Sequence, residues 1–113
     1  MKLIRLMLIV FAIGFCTNSN ATGITYSGSA SCRDWVQNRT GGGDAKLLLS
    51  TAQEFWLLGY LSGVANGLGV DFMRTANAAS IELWMDNYCR NNPLDNVADG
   101  AVKLARELKK KMH

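Results

Sequence analysis

The stretch that decides the fold is Trp84-Met85-Asp86-Asn87-Tyr88-Cys89-Arg90-Asn91-Asn92-Pro93. Its apolar residues continue a helical spacing of i, i+3, i+4, i+7 and i+8, made up of Ile81, Trp84, Met85, Tyr88 and Cys89. That spacing predicts an α-helix near 78–91 whose inner face carries Cys89. Asn77 or Thr75 can cap its start, and Pro93 can open the next helix because proline is tolerated at a first helical position.

A shorter stretch, Ser31-Cys32-Arg33-Asp34-Trp35-Val36, repeats this logic near the start of the predicted domain. Cys32, Trp35 and Val36 stand at i, i+3 and i+4, and Ser31 can cap the helix. Each cysteine is therefore expected on the inner face of a helix, where the two sulfur atoms can meet.

The first 21 residues predict a signal peptide for the general export pathway, and hence a periplasmic protein. Lys2 and Arg5 precede an uncharged apolar run over 6–15, and Ser19-Asn20-Ala21 is a small-x-small cleavage pattern. An uncleaved membrane anchor is less favoured because the run is too short to span a bilayer. A lipoprotein centred on Cys16 is less favoured because Phe15 is not small.

Cleavage after Ala21 would change the balance of charges and cysteines. The chain of 113 residues has 12 basic and 9 acidic residues; losing Lys2 and Arg5 leaves 10 against 9, a net charge of +1. This balance predicts no nucleic-acid binding. Once the signal peptide is removed, we also predict no membrane association. Cys32 and Cys89 would be the remaining cysteines and are expected to form one disulfide, with two separate buried thiols as the alternative.

The complete pattern predicts an all-α fold, a small four-helix orthogonal bundle with one disulfide. Residues 22–29 are expected to be a flexible arm and residues 30–113 a single domain, with helices near 31–39, 45–66, 78–91 and 93–109. In the last helix Asn92 is the expected cap. Its inner stripe is predicted to include Leu94, Val97, Ala101, Leu104 and Leu108.

The second helix is apolar nearly all round and carries no charge between Glu54 and Asp71, which predicts a central, buried helix. Gly59, Gly63 and Gly67 recur every four residues. They indicate either a tight packing line inside the domain, which we favour, or a place where a partner comes close. We predict a client or partner surface here, covered at neutral pH by other helices or in a homodimer, and made of Phe55, Trp56, Leu58, Gly59, Tyr60, Leu61, Gly63 and Val64.

Catalytic chemistry has little support in this sequence. The one histidine is His113, the last residue, and no triad, zinc or phosphate-loop motif is present. We therefore predict that the protein is not an enzyme and has no catalytic residues, metal site or cofactor.

The two cysteine motifs, Ser31-Cys32-Arg33-Asp34-Trp35 and Tyr88-Cys89-Arg90-Asn91-Asn92-Pro93, resemble the HdeA/HdeB family of periplasmic acid-stress chaperones. The resemblance covers most of residues 30–108 in layout. It implies a holdase that binds unfolded periplasmic proteins through apolar surface. If partners such as Arg90 or Lys103 lower the pKa of carboxylates, the stability they contribute would be lost as pH falls.

A second resemblance is to Tai-type immunity proteins of type VI secretion, which are also small, exported, helical and disulfide-bonded. It implies the alternative function, a module that binds one specific protein partner and has no chaperone activity. In both cases the expected site of action is the apolar surface of the second helix.

Overall fold

The computed structural model describes residues 23–112, and the predicted signal peptide lies outside them. Within this range the chain forms α1 (Cys32–Arg39), α2 (Asp44–Leu68), a short 3₁₀ helix (Phe72–Thr75), α3 (Ala78–Asn91) and α4 (Val97–Lys110). An isolated antiparallel bridge between Ser31 and Asn96 is the one β pairing among the described residues. The predicted all-α fold with four helices and one disulfide is confirmed.

Capping residues set the starts of two helices, as the sequence predicted. The Ser31 hydroxyl accepts a hydrogen bond from the Asp34 amide at 3.0 Å, and the Asn77 side chain accepts one from the Ser80 amide at 2.8 Å. Each bond satisfies an amide that has no partner inside its helix. Gly69 ends α2 with a φ of 63°, a left-handed conformation that favours glycine.

The start of α4 differs from the prediction. The helix begins at Val97 rather than Pro93, its cap is Asn96 rather than Asn92, and Leu94 is 98% exposed instead of lying on the inner stripe. The cause is a pairing with a distant segment. The Cys32 amide donates to the Asp95 carbonyl and the Val97 amide to the Ala30 carbonyl, both at 2.9 Å. These bonds hold Asn96 extended after a turn at residues 93–94, so the helix cannot start at Pro93.

The core lies where α1, α3 and α4 meet the inner side of α2. Cys32 and Cys89 form the predicted disulfide, and both are buried. The bond joins residues 57 apart in sequence, so loop-closure entropy gives a stabilisation of about 4 kcal/mol. Around it are buried Trp35, Leu57, Leu61, Phe72, Ile81, Met85, Tyr88, Val97, Ala101, Leu104 and Leu108.

Gly100 lets α3 and α4 approach closely. A Cβ atom added at this position would lie 2.7 Å from the Met85 sulfur and 2.7 Å from Cδ1 of Tyr88, closer than real Cβ contacts. Glycine is therefore required by packing at a position where the backbone itself is ordinary helix. Gly100 thus makes a tight helix–helix contact that the spacing of the other glycines in the sequence does not predict.

Candidate functional site

The helix α2 lies at the edge of the core rather than at its centre. Along its 25 residues only Ser50, Leu57 and Leu61 are buried. Large apolar side chains elsewhere on it meet solvent: Leu47, Leu48, Leu49, Phe55 and Leu68 are each more than half exposed. The prediction of a central, buried helix is therefore wrong. The helices α1 and α4 and the 3₁₀ helix pack against one side of this long helix, and its other side stays free.

The uncovered side forms a continuous strip, which we call the open face of α2. Its members are all exposed and recur at alternating intervals of three and four residues: Ala45, Leu48, Ala52, Phe55, Gly59, Ser62 and Asn66, with Gly63 beside them. Leu48 and Phe55 are each 71% exposed. The strip carries no charged side chain, which is unusual for a helix surface in contact with water.

The glycine line belongs to this open face and not to the interior. A Cβ atom built on Gly59, Gly63 or Gly67 would meet no atom within 4 Å. The favoured interpretation, a packing line inside the domain, is therefore wrong. Gly63→Leu should therefore leave the folded chain undisturbed at neutral pH, because the added side chain would enter open space.

The residues predicted as a client or partner surface do not form one surface. Phe55, Gly59 and Gly63 lie on the open face. Leu61 is buried in the core, while the half-buried members flank the open face or point toward the domain: Trp56, Leu58, Tyr60 and Val64. The expectation that neighbouring helices cover the surface holds for Leu61 and is wrong for Phe55.

One flank of the open face is aromatic. It is lined by residues 23–29, the described part of the predicted flexible arm 22–29. Trp56 and Tyr60 stack with ring centroids 5.4 Å apart, and Tyr26 meets Tyr60 edge-on at 5.6 Å. The Trp56 indole N–H donates to the Ser27 carbonyl at 2.7 Å. Burial raises the pKa of Tyr60, and the neighbouring Tyr26 raises it further. The arm thus makes defined contacts with α2.

On the inner side of α2, Arg39 joins three helices. From the end of α1 its guanidinium pairs with Glu54 of α2 and, on α3, with Asp86 at 2.6 Å and Glu82 at 3.7 Å. The Trp35 indole N–H also donates to Asp86, at 2.8 Å. Burial lowers the pKa of Arg39, but the hydrogen bond and charge of Asp86, with Glu54 and Glu82, raise it overall. Sequence reasoning missed this cluster because its members are spread over three helices.

The pKa of Glu82 in this cluster is shifted in the direction opposite to the one that an acid-driven loss of stability requires. Burial raises the pKa of Glu82, and the nearby Glu54 adds to the effect. A raised pKa means that the folded state holds the proton more tightly, so Glu82 adds stability as pH falls through its folded value and loses it as pH rises. The expected partner Lys103 is exposed and lies 4.0 Å from Asp95. Glu82 therefore cannot drive acid unfolding.

No group of three His, Cys, Asp or Glu side chains within 23–112 is arranged to hold a metal ion. In the same range, none of the helices combines the length and hydropathy that a membrane span requires. The open face of α2 is the most extended unexplained feature of this part of the chain.

Comparison with protein-family models, with curated proteins and with solved structures found no match to this chain. The resemblances to HdeA/HdeB chaperones and to Tai-type immunity proteins therefore stay predictions that rest on the sequence motifs quoted above.

Proposed function

We propose that the protein is an exported, HdeA/HdeB-like holdase that binds apolar segments of unfolded periplasmic proteins through the open face of α2. The observation that carries the proposal is the exposure of Phe55 and Leu48 on an uncharged helix face. Complete burial of such a side chain stabilises a protein by about 1.5–3 kcal/mol. This fold lacks most of that stabilisation at Phe55 and at Leu48 because both are exposed. Exposed apolar surface of this kind typically marks an interaction site.

The chemistry of the face suits many partners better than one. Specific interfaces carry roughly one hydrogen bond per 100–200 Å² of buried surface, and these bonds fix the register of the partners. Between Ala45 and Gly59 the side chains of the open face are all apolar. Its polar side chains, Ser62 and Asn66, lie near the C-terminal end of α2. Contact with such a strip depends on the apolar content of a client segment rather than on its sequence.

Client binding by this route needs no acid-driven opening of the domain. The open face is already uncovered in the folded chain. The disulfide ties α1 to α3, and the Arg39 cluster links α2 to both of these helices. Acid stress then acts on the clients, whose unfolding supplies apolar segments. The Cys32–Cys89 disulfide is compatible with an oxidising compartment such as the periplasm.

The second candidate is a binder of one specific protein, as in an immunity protein. The observation that favours it is the aromatic flank, where Tyr26, Trp56 and Tyr60 are held by stacking and by the bond to Ser27. Rigid Trp and Tyr side chains dominate the energy of many specific interfaces. A partner that covers both the flank and the open face would gain its specificity from these rings.

The test is light scattering of a denaturing client protein at neutral and acid pH, with the exported mature protein added in molar excess. We expect the wild type to suppress aggregation and Phe55→Glu to lose most of that effect. The matched control is Leu83→Glu, which places the same charge at a 59% exposed leucine on α3. A wild type that leaves aggregation unchanged contradicts the holdase; a single stoichiometric periplasmic partner, lost in Phe55→Glu, would then establish the second candidate.

A further inference from the structure

We propose that the groove between α2 and α4 binds a single-chain anionic amphiphile, a medium-length alkyl chain that ends in a carboxylate. The groove is lined by residues of both helices, and none of them belongs to the open face of α2. The inference therefore goes beyond the proposed function and does not depend on client binding.

The α2–α4 groove has apolar walls. It encloses about 220 Å³ between two lines of side chains at helical spacing: Tyr60, Val64 and Leu68 on α2, and Val102 and Ala105 on α4. Sites for small molecules typically enclose about 300–1,000 Å³. The groove is therefore too small for a bulky ring system and suits a slim chain, which it can contact from both sides.

The length of the groove sets the length of the chain that it can hold. About two turns of α2 separate Tyr60 from Leu68, or roughly 12 Å along the helix axis. An extended alkyl chain advances about 1.25 Å per carbon, given carbon–carbon bonds of about 1.5 Å. A chain of about ten carbons therefore matches the groove.

Two cations, Arg106 and Lys109, stand on the α4 side of the groove. Both are exposed, and within residues 23–112 neither of them forms an ion pair. The helix α2 cannot neutralise them because it carries no charged residue after Glu54. Two free cations beside an apolar groove complement a ligand that joins an apolar chain to an anion.

Two further charged side chains of α4 are engaged with α3 instead. The Lys103 ammonium donates to the Tyr88 hydroxyl at 3.2 Å and lies 4.9 Å from the centre of its ring. The Glu107 carboxylate accepts a hydrogen bond from the Trp84 indole N–H at 3.1 Å. The side of α4 that meets α2 is thus left with a cationic edge, which a carboxylate ligand would neutralise.

The cations also give the groove a direction. The 3₁₀ helix that follows α2 lies beside Leu108, near the C-terminal end of α4. The groove therefore has Leu68 at the end where Lys109 stands, and Tyr60 at the other end. A carboxylate at the Leu68 end can approach Lys109 and Arg106, while the alkyl tail extends toward Tyr60.

A peptide segment would fit this groove less well than an alkyl chain. The backbone N–H and C=O groups of a peptide lose their water partners on burial, so each needs a hydrogen bond. The one uncharged polar group among the lining side chains is the Tyr60 hydroxyl. An alkyl chain has no polar groups along its length and needs no such partners.

The first experiment is calorimetric titration of the mature protein with decanoate at neutral pH, below the concentration at which decanoate forms micelles. We expect saturable binding at one site. Octanoate should bind about tenfold more weakly, because two buried methylene groups are lost. Decyltrimethylammonium, which has the same chain and the opposite charge, should bind at least about fivefold more weakly than decanoate.

Three results would overturn the proposal at this stage. The first is no binding of decanoate, and the second is equal binding of decanoate and decyltrimethylammonium. The third is binding to sedimented vesicles of phosphatidylglycerol without binding of decanoate, which would indicate recognition of a membrane surface instead.

The second experiment locates the site with matched variants. Leu68→Glu places a carboxylate at the cationic end of the groove and should weaken decanoate binding at least about tenfold. Leu83→Glu, which adds the same charge at a leucine 59% exposed against 52% for Leu68, should leave binding unchanged. Equal losses in these two variants, or full binding by Leu68→Glu, would contradict the site.

A double variant tests the two cations. Arg106→Gln combined with Lys109→Gln should weaken decanoate binding about fivefold, as expected for two exposed ion pairs. The matched control combines Arg33→Gln on α1 with Lys111→Gln, whose side chain lines a cleft on the α3 side of α4, so the change in net charge is the same. An equal loss in the control would show that general charge attraction, not the groove, holds the ligand.

The outcomes separate this inference from the proposed function. We expect Phe55→Glu to bind decanoate like the wild type and Leu68→Glu to suppress client aggregation like the wild type. If Phe55→Glu loses decanoate and Leu68→Glu keeps it, the ligand binds the open face and the groove assignment fails. If decanoate binds in the groove while Phe55→Glu still suppresses aggregation, the groove assignment stands and the holdase fails.

Discussion

Two glycines show how differently the two sides of this molecule are built. At Gly100 of α4 the next helix is so close that an added Cβ would touch Met85 and Tyr88, whereas at Gly59 of α2 it would touch nothing within 4 Å. The first glycine is required by the packing of the folded chain. The second weakens its helix, because glycine costs about 1 kcal/mol relative to alanine there. Gly59 lowers the stability of its helix and fills no packing contact within the folded chain. We therefore infer that it serves binding to another molecule.

The largest expected effect compares the same substitution at these two glycines. Gly100→Leu should lower the free energy of unfolding by about 3 kcal/mol or more, since four carbons must enter a filled contact. Gly59→Leu should raise it by several tenths of a kcal/mol up to about 1 kcal/mol, because leucine favours helix and has room. Urea unfolding followed by circular dichroism measures both. An equal fall in the free energy of unfolding for the two variants would show that Gly59 is packed against other atoms and that the open face is covered.

A smaller effect is expected from the cluster that holds α2 on its inner side. Arg39→Met removes the cation shared by Glu54, Glu82 and Asp86. Removing one partner of a fully buried ion pair costs about 3–5 kcal/mol, and these side chains are 17–26% exposed, so we expect a loss of about 2 kcal/mol. Arg90→Met, at an exposed position on α3, is the control and should change little. A neutral Arg39→Met would mean that α2 is held by apolar contacts alone.

The starts of α1 and α3, and the inward orientation of the two cysteines on these helices, could be predicted because their signals are local. Ser31 and Asn77 cap as expected, and the inner spacing around Cys89 orients its helix. The start of α4 could not, because the hydrogen bonds at Asp95 and Val97 join segments far apart in sequence. The orientation of α2 could not either: a helix that is apolar all round has no pattern to tell its covered side from its free one.

The smallest expected effect concerns pH. The pKa of Glu82 is raised above its ordinary value of 4.5, chiefly by burial and also by Glu54, so its ionisation disfavours folding at neutral pH. Glu82→Gln should therefore raise the free energy of unfolding slightly at neutral pH and remove the gain that the wild type shows when pH falls through the raised value. Unfolding curves at a series of pH values measure this. A variant that is less stable at neutral pH would mean that its attraction to Arg39 outweighs burial.

The measurement that tests the central claim most directly is the binding of a fluorescent hydrophobic dye to the dilute mature protein at neutral pH. We expect the wild type and Leu83→Glu to bind the dye equally, and Phe55→Glu to bind much less, because Phe55 is the largest exposed apolar side chain on α2. A wild type that binds dye only after acidification would contradict an open face. So would a Phe55→Glu variant that binds dye as the wild type does.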